Sequence, residues 1–158
     1  MSKARVIAAQ VEHVPMIAPL VREADRVELW ASGRTTPFDA MAYGVEHSTS
    51  AWTGFVGDEP VCMFGVVPAS LLGGIGVPWM LGTDAVVRHQ FAFLRGSRPC
   101  VERMRSLYDS LVNYVDDRNV VAQRWLRWLG FTLDDPEPHG PDGVPFRRFT
   151  WRRGDGRQ

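Results

Sequence analysis

Apolar residues along the chain recur first at strand-like spacing and then at helical spacing. Lys3–Gln10 is predicted to form a first strand. His13–Trp30 is predicted to form a helix, because apolar side chains recur there in steps of three and four residues. Pro19 lies inside this helix, where its missing N–H favours a break. The apolar stripe of the helix is Val14, Ile17, Val21 and Ala24.

A hairpin is predicted near the middle of the chain. Ala51–Val56 and Val61–Val67 are apolar runs, and Gly57–Pro60 between them has the composition of a turn. A short helix over Phe38–Glu46 precedes the hairpin, and Pro78–Gly82 follows it as a fourth, interior strand. These segments predict three successive strands in the middle of the chain.

Helix signals dominate the stretch after the fourth strand. Thr83 or Asp84 is predicted to cap a short helix. A second, longer helix is predicted to begin at Ser97, because Gly96 interrupts the pattern and Pro99 suits a first helical turn. The sequence therefore predicts two helices in this stretch.

The C-terminal part predicts one more strand, a helix and a closing hairpin. Leu111–Val115 is a short apolar strand, and Asn119–Leu129 is a helix that Gly130 ends. Phe131–Leu133 and Phe146–Trp151 are predicted to pair across a loop rich in proline and glycine. The order of all these elements predicts an α/β chain in which helices pack on a mixed sheet.

The composition is typical of one globular domain spanning residues 1–158. Of the 158 residues, 45% are hydrophobic, which is enough for one core. Lys plus Arg and Asp plus Glu number 18 each, so the chain as a whole does not attract nucleic acid or an anionic membrane. No apolar stretch reaches the ~18 residues of a membrane span, and no signal-peptide pattern follows Met1, so a cytosolic protein is expected. Cys62 and Cys100 have neither metal-ligand nor disulfide spacing, and no metal site is expected.

The stretch from Asn119 to Phe131 resembles the C-terminal motif of the GNAT superfamily of N-acetyltransferases. Asn119, Ala122, Leu129, Gly130 and Phe131 fall in register with that motif. The resemblance implies a GNAT-like fold: a central, mostly antiparallel sheet whose fourth and fifth strands splay apart, with helices on both faces. It also makes acetyl-CoA a possible cofactor, which the sequence itself does not require, and an amine a possible substrate.

A narrower resemblance is to GNAT-like proteins of tailed bacteriophages, which include small internal virion proteins of short-tailed phages. It rests on Pro78–Asp84, on Leu107–Val115 and on Arg22–Glu28. The resemblance implies a role in particle assembly or genome ejection, with phage structural proteins as partners. The protein would then be found in the cytoplasm of the host cell and in the virion.

The fourth strand is the candidate contact for the pantetheine arm of CoA. The resemblance assigns this edge to Trp79, Met80, Leu81 and Gly82, and it adds Asn119 to the cofactor-binding residues. The alternative is that the fourth and fifth strands are ordinary core strands.

A pyrophosphate site is harder to place in this sequence. In the GNAT superfamily, which this sequence resembles, a glycine-rich loop follows the fourth strand directly. In this sequence an inserted helix is predicted there. The next candidate is the segment Arg95, Gly96, Ser97 and Arg98, which has a glycine, a predicted helix start and two guanidiniums. Pro99 removes one amide donor from it. The alternative is an ordinary capped helix start with solvated arginines.

Asp25 and Glu28 are the candidate catalytic residues. They lie three positions apart on one predicted helix face, and the resemblance puts that helix beside the acceptor. Two carboxylates there would attract a cationic amine and accept its proton through water. Alternatively they are solvated and pair with Arg22 and Arg26.

In many members of the GNAT superfamily, which this sequence resembles, a tyrosine donates the proton to the CoA sulfur. Leu126 stands at that position here. Leucine cannot donate a proton. Tyr108 or Tyr114 could take its place, or water could protonate the thiolate, since a thiol has a pKa of about 8.5.

Basic and aromatic residues alternate at Arg124, Trp125, Arg127 and Trp128. This pattern is found on surfaces that stack on nucleic acid, and also on amphipathic helices whose tryptophans pack inward. Because the net charge is zero, inward packing is expected and no nucleic-acid partner is.

Two functions remain open from the sequence. The first is a phage virion, assembly or ejection protein that has the GNAT scaffold and a degenerate acyl-CoA site. The second is an active acetyl-CoA-dependent N-acetyltransferase that acts on a small-molecule or protein amine.

Overall fold

In the residues that the computed structural model describes, 3–70 and 72–154, eight strands form one sheet and helices pack on both of its faces. The strands are β1 (Ala4–Ala8), β2 (Ser50–Val56), β3 (Glu59–Pro68), β4 (Ile75–Gly82), β5 (Ser110–Asp116), β6 (Thr132–Leu133), β7 (Glu137–His139) and β8 (Val144–Arg152). The helices are α1 (Val14–Ile17), α2 (Glu23–Gly33), α3 (Pro37–His47), α4 (Asp84–Arg88), α5 (Gln90–Leu107) and α6 (Val120–Trp128).

The sheet follows the strand order β1-β2-β3-β4-β5-β8-β6, and β7 pairs with β8. Every pair is antiparallel except β4 with β5. Those two strands pair in parallel at Ile75 with Ser110 and at Gly76 with Leu111, and then they part. The expected splay of the fourth and fifth strands in a mostly antiparallel sheet is therefore confirmed.

Alternating side chains of β3 face opposite sides of the sheet and supply two apolar cores. Met63 packs with α1 and α3 on one side, whereas Cys62 and Phe64 pack with α5 and α6 on the other. The helices bury complementary stripes on the two sides: Val14, Ile17 and Met41 on the first, and Phe93, Met104 and Trp125 on the second.

The helix predicted over His13–Trp30 is interrupted. Two 3₁₀ turns, Val11–His13 and Ala18–Leu20, flank α1, and α2 begins at Glu23. Pro19 lies in the second turn, where its ring has no N–H to continue an α-helix. The proline break that the sequence predicted therefore divides the segment.

The interruption lets the chain contact the end of β4. Val21 forms an isolated bridge with Thr83, and the backbone N–H of Arg22 donates to the carbonyl of Gly82 at 2.8 Å. The start of α2 is thus fixed beside the C-terminal end of β4.

The stretch after β4 contains two helices as predicted, α4 and α5, but the break between them lies at His89 and not at Gly96. Helix α5 runs from Gln90 to Leu107 with Pro99 inside it, so the predicted break at Gly96 and helix start at Ser97 are wrong. Burying one large apolar side chain contributes about 1.5–3 kcal/mol, so several together outweigh the ~3 kcal/mol cost of an interior proline. The buried inner face of α5 consists of Phe93, Cys100, Val101 and Met104.

Local turn and cap predictions are confirmed. Gly57 and Gly130 adopt positive φ angles of 59° and 98°, at the β2–β3 turn and at the end of α6. The Thr83 hydroxyl accepts from the N–H of Ala85 at 3.2 Å and caps α4. The short strand β7 lies in a segment that the sequence predicts as loop. The sequence also predicts a polar tail from Arg152 onward, and residues 155–158 of it lie outside the described residues.

Gly44 of α3 lies against the indole of Trp79, and a methyl group there would overlap the ring. The ring cannot move freely, because its Nε1 donates to the Ser48 hydroxyl at 2.8 Å.

We expect Gly44→Ala to lower the free energy of unfolding by about 1–3 kcal/mol, the usual cost of overpacking. The matched control is Gly33→Ala, whose methyl would meet nothing within 4 Å, and we expect it to be neutral or to stabilise by up to ~1 kcal/mol. Urea unfolding measures both variants, and equal stabilities would contradict the packing.

Candidate functional site

The parting of β4 and β5 opens a window through the sheet. A cavity of about 780 Å³ reaches the window from both faces, a volume within the ~300–1,000 Å³ of typical ligand sites. Side chains of α2 and α3 line one part, which we call the α2–α3 half. Side chains of α5 and α6 line the other part, which we call the α5–α6 half.

Asn113 closes the near end of the window. Its Nδ2 donates to the carbonyl of Pro78 at 2.7 Å, and its Oδ1 accepts from the N–H of Tyr114 at 2.8 Å. One carboxamide thus stands in for the backbone hydrogen bonds that paired strands would make here. It connects β4 to β5 without letting them pair.

Polar side chains close the far end, and we call the group of Arg22, Asp25, Glu28 and Asn119 the polar bar. Arg22 donates to Oδ1 of Asn119 at 2.7 Å and lies 3.4 Å from Asp25. The Asn119 Nδ2 donates to Asp25 at 3.2 Å and to Glu28 at 3.0 Å. The bar ties α2 to the start of α6.

Both carboxylate oxygens of Asp25 are engaged within the protein. Oδ2 accepts from the N–H of Gly82 at 2.9 Å, and Oδ1 accepts from Asn119. Burial raises the pKa of Asp25, and Arg22 acts against that rise. The amide of Asn119 is likewise fully used, since its oxygen also accepts from the first turn of α6. The catalytic role of Asp25 and the cofactor contact of Asn119 stay predictions. In the structure, the hydrogen bonds of both residues connect α2, β4 and the start of α6.

Glu28 differs from Asp25 because one of its oxygens is free. Oε1 accepts from Asn119 and from the N–H of Asp116, at 3.0 and 3.1 Å. Oε2 accepts no hydrogen bond from any described residue, and the side chain lines the cavity. Desolvation by burial raises the pKa of Glu28 to about 7, the Asn119 hydrogen bond opposes this, and the neighbouring Asp25 charge adds to it. A carboxyl with this pKa can take up and release a proton near neutral pH.

The predicted pantetheine edge, Trp79–Gly82, has few free backbone groups. Backbone groups alternate in direction along a paired strand, and the N–H of Gly82 faces the window, where Asp25 takes it. By the same alternation the N–H and C=O of Met80 also face the window. The next window-facing carbonyl toward the near end is taken by Asn113. By the same alternation, the backbone groups of Trp79 and Leu81 face β3, where these residues pair with Gly65 and Met63.

The α2–α3 half is acidic and aromatic. Asp39 and Tyr43 line it from α3, and Glu28 lines it from α2. Tyr114 and His139 line it as well, with their rings stacked at a centroid distance of 4.4 Å. Asp39, Tyr43 and His139 are not among the site residues that the sequence predicts. The four-residue spacing within α3 could have paired the first two, whereas nothing local signals His139.

The α5–α6 half is mostly apolar. Among the described residues that line the cavity, none is a lysine or an arginine. Its walls come from one stripe of each helix, which includes Phe93, Leu94, Val101, Met104, Leu126 and Leu129.

The predicted phosphate segment, Arg95–Arg98, lies in the middle of α5. A helix interior offers no cluster of free amides, because its N–H groups bond within the helix. Ser97 lines the cavity, whereas Arg95 and Arg98 are exposed and form no ion pair with described residues. The Arg98 guanidinium lies 4.3 Å from the ring centroid of Trp128. The segment therefore has its guanidiniums without a phosphate-binding helix start.

Leu126 lines the cavity. Tyr108 is buried with its hydroxyl 2.5 Å from the Thr49 Oγ1, and it does not line the cavity. Of the two tyrosines that the sequence left open, Tyr114 is the one that reaches the cavity.

Other kinds of site find little support in the described part of the chain. Trp125 packs inward as predicted, and its Nε1 donates to Gln90 at 3.1 Å, but Trp128 is 47% exposed. No three His, Cys, Asp or Glu residues of ranges 3–70 and 72–154 lie together so that they could hold a metal ion. Within the same ranges, no helix has the length and apolar character needed to cross a membrane.

No protein-family model matches the sequence, and no curated protein matches it. Solved structures match its shape. The aminoglycoside acetyltransferase AAC(6')-Ib in complex with coenzyme A is 17% identical over 96% of this chain and 95% of that chain, with a TM-score of 0.68. The ribosomal L7/L12 alpha-N-protein acetyltransferase RimL in complex with coenzyme A is 12% identical over 95% of this chain and 94% of that chain, with a TM-score of 0.68. A GNAT-family acetyltransferase from Streptococcus pneumoniae is 13% identical over 96% of this chain and 100% of that chain, with a TM-score of 0.69.

At these identities the likeness shows the fold alone. The chain has the GNAT fold, as the resemblance of its C-terminal motif predicted. The narrower resemblance to bacteriophage proteins stays a prediction from the sequence.

The raised pKa of Glu28 makes stability depend on pH. The ordinary pKa is 4.5 and the value in the folded protein is about 7, so between these values the folded chain binds more protons than the unfolded chain. The contribution of Glu28 to the free energy of unfolding therefore falls as pH rises from about 4.5 to 7, and it stays low above that. The glutamine side chain in Glu28→Gln carries no charge at any of these pH values, so this variant does not lose that stability as pH rises. At ~1.4 kcal/mol per pKa unit, we expect it to gain up to about 3 kcal/mol over the wild type between pH 4.5 and pH 8.

The matched control is Glu23→Gln, because Glu23 is exposed on the same helix. We expect its stability difference from the wild type to stay within ~0.5 kcal/mol at both pH values. Urea unfolding at each pH measures all three proteins. A Glu28→Gln difference that does not change with pH would contradict the raised pKa.

Proposed function

We propose that the protein is an N-acyltransferase that moves an acyl group from an acyl-CoA thioester to an amine, with Glu28 as the base. The observation that carries the proposal is the place of Glu28: a carboxyl with a pKa of about 7 and one free oxygen, beside a window between parted strands. The fold supports the proposal, because acetyltransferases of this fold have been solved with coenzyme A bound.

The window suits the pantetheine arm of an acyl-CoA. Pantetheine is a narrow chain with peptide-like amides, and Met80 directs one N–H and one C=O toward it. The apolar walls of the α5–α6 half would exclude water from the thioester. An acyl-CoA bound there would supply an activated acyl carbon with a thiolate leaving group. A thiol has a pKa of about 8.5, so water can protonate that thiolate and Leu126 is no obstacle.

Glu28 acts on the amine from the α2–α3 half. An ammonium group becomes a nucleophile only when it loses a proton, and Oε2 of Glu28 is free to accept it. The amine nitrogen then forms the C–N bond as the C–S bond breaks, and its second proton passes through water to the departing thiolate. Asn119 and the N–H of Asp116 hold Oε1, so the orientation of the carboxyl is fixed. Asp25 does not compete for the proton, because Arg22 balances its charge and both of its oxygens are bonded.

Glu28→Gln separates catalysis from binding. Glutamine can keep the hydrogen bonds at Oε1 but cannot take up the proton. With acetyl-CoA and a panel of amines, we expect kcat to fall about 100-fold or more, the usual loss when a general base is removed, while KM stays nearly constant. Release of free thiol measures the rate, and Glu23→Gln serves as the control. An unchanged kcat would exclude Glu28 as the base, and no transfer to any amine by the wild type would overturn the proposed function.

The phosphates of CoA are assigned to guanidiniums at the mouth of the α5–α6 half. Arg95 and Arg98 are exposed on α5, next to Ser97, which lines the cavity. Arg98 lies over the half-exposed ring of Trp128, so a cation and an aromatic face stand side by side there. Guanidiniums suit phosphate because they can donate two parallel hydrogen bonds.

Arg98→Ala tests this assignment, with S-acetylpantetheine as a donor that has no phosphates. We expect the variant to bind acetyl-CoA about fivefold more weakly, as for a partly exposed charge pair, and to use S-acetylpantetheine as well as the wild type does. The matched control is Arg103→Ala, because Arg103 is an exposed arginine of the same helix. It should change neither the binding of acetyl-CoA nor the use of S-acetylpantetheine. Isothermal titration and KM measure the effect. Equal weakening of both donors would show that Arg98 does not act through the phosphates.

A second candidate function is favoured by what the cavity walls contain. None of the described lining residues is a lysine or an arginine, and a leucine stands at position 126. These features favour a GNAT scaffold with a degenerate acyl-CoA site, which the bacteriophage resemblance would place in virion assembly or genome ejection. Failure of acetyl-CoA to bind, with detection of the protein in purified phage particles, would support this candidate over the first.

A further inference from the structure

The charges of the α2–α3 half are of one sign. Glu28 and Asp39 line it, and no described lysine or arginine lines any part of the cavity. Asp25 also lines it, but Arg22 balances that charge within the polar bar. A ligand in this half therefore meets two carboxylates, and no described lysine or arginine of the cavity walls neutralises them.

We propose that the acceptor is an amine that carries a second cationic group and no carboxylate, with Glu28 facing the reacting nitrogen and Asp39 facing the second charge. This inference rests on the proposed function and names the substrate class of the same site. Glu28, the more enclosed carboxyl, then lies at the reacting nitrogen, and Asp39, the more exposed carboxyl, lies at the entrance of the cavity.

Asp39 is suited to hold a charge without reacting. It is exposed in the first turn of α3, and its side chain forms no ion pair with described residues. The cap of α3 is made by the hydroxyl of Thr36, which accepts from the backbone N–H of Asp39 at 3.2 Å. The carboxylate of Asp39 is therefore not needed for the cap and is available to a ligand.

Aromatic rings complete a site for a cation. Tyr43 stands one turn after Asp39 on α3, and Trp79, Tyr114 and His139 line the same cavity. The face of a tyrosine or tryptophan ring attracts an ammonium group. A carboxylate in the same place would meet the like charge of Asp39 and no guanidinium or ammonium of a described lining residue, so it would be repelled. The walls thus select for cations and against amino acids.

Three acceptors of equal chain length test the inference with acetyl-CoA as donor: 1,4-diaminobutane, butylamine and 4-aminobutanoate. We expect kcat/KM to be highest for the diamine and at least about tenfold lower for 4-aminobutanoate, whose carboxylate meets the like charge of Asp39. Asp39→Asn should raise KM for the diamine by about threefold to fivefold and leave kcat unchanged. The KM for butylamine should not change, because butylamine has no second charge.

The matched control is Asp58→Asn, which makes the same charge change at an exposed residue outside the cavity walls. It should alter no kinetic constant. Binding of 1,4-diaminobutane without donor is followed by tryptophan fluorescence, since Trp79 lines the cavity, and Asp39→Asn should weaken it by the same factor. This measurement does not depend on turnover.

The outcomes separate the two levels of the proposal. Equal kcat/KM for diamine and monoamine, with no effect of Asp39→Asn, would overturn the inference while the acyltransferase function stands. Transfer to amino acids in preference to diamines would overturn it as well. Diamine binding that depends on Asp39, without any acyl transfer, would support the cation site and reject the reaction.

Discussion

The polar bar of Arg22, Asp25, Glu28 and Asn119 is the interaction on which the site depends. When two strands part, the backbone groups that faced each other lose their partners, and such groups are rarely left unbonded in a protein interior. Here side chains replace those partners. Asp25 and Glu28 of the bar accept from one N–H of each parted strand, while the Asn113 carboxamide bonds both strands at the near end. Hydrogen bonds within the protein therefore hold the two strands apart at both ends of the window.

The same bar gives Glu28 its chemistry. It brings together one guanidinium and two carboxylates, and Arg22 contacts Asp25 directly at 3.4 Å. The charge of Glu28 is left without a cationic partner among the described residues, in a place from which water is largely removed, and the pKa of its carboxyl rises to about 7. The bonds that keep the strands apart thus also hold the carboxyl that we propose as the base, beside the opening.

The sequence predicted the parts of the fold that local signals control. The α6 cap at Asn119 and its end at Gly130 are set by neighbouring residues, whereas the splay of the strands came from family resemblance. The break at Gly96 was predicted wrongly, because burial of the inner face of α5 outweighs the local signals. Of the site, Glu28 was found by its helix spacing. Asp39 and His139 were not, because only the tertiary fold brings their elements to the same cavity.

The two halves of the cavity differ in how they can hold a charged ligand. The first residue of α5, Gln90, bonds to Trp125 of α6 at 3.1 Å, so a side-chain contact joins the two helices where α5 begins. The cations that we propose for the donor phosphates are the exposed guanidiniums of Arg95 and Arg98. Salt screens exposed charges strongly and enclosed ones weakly. In the proposed reaction, ionic strength would therefore weaken the binding of a phosphorylated donor more than the attraction of Glu28 for an amine, so the two proposed substrates would depend on different electrostatics.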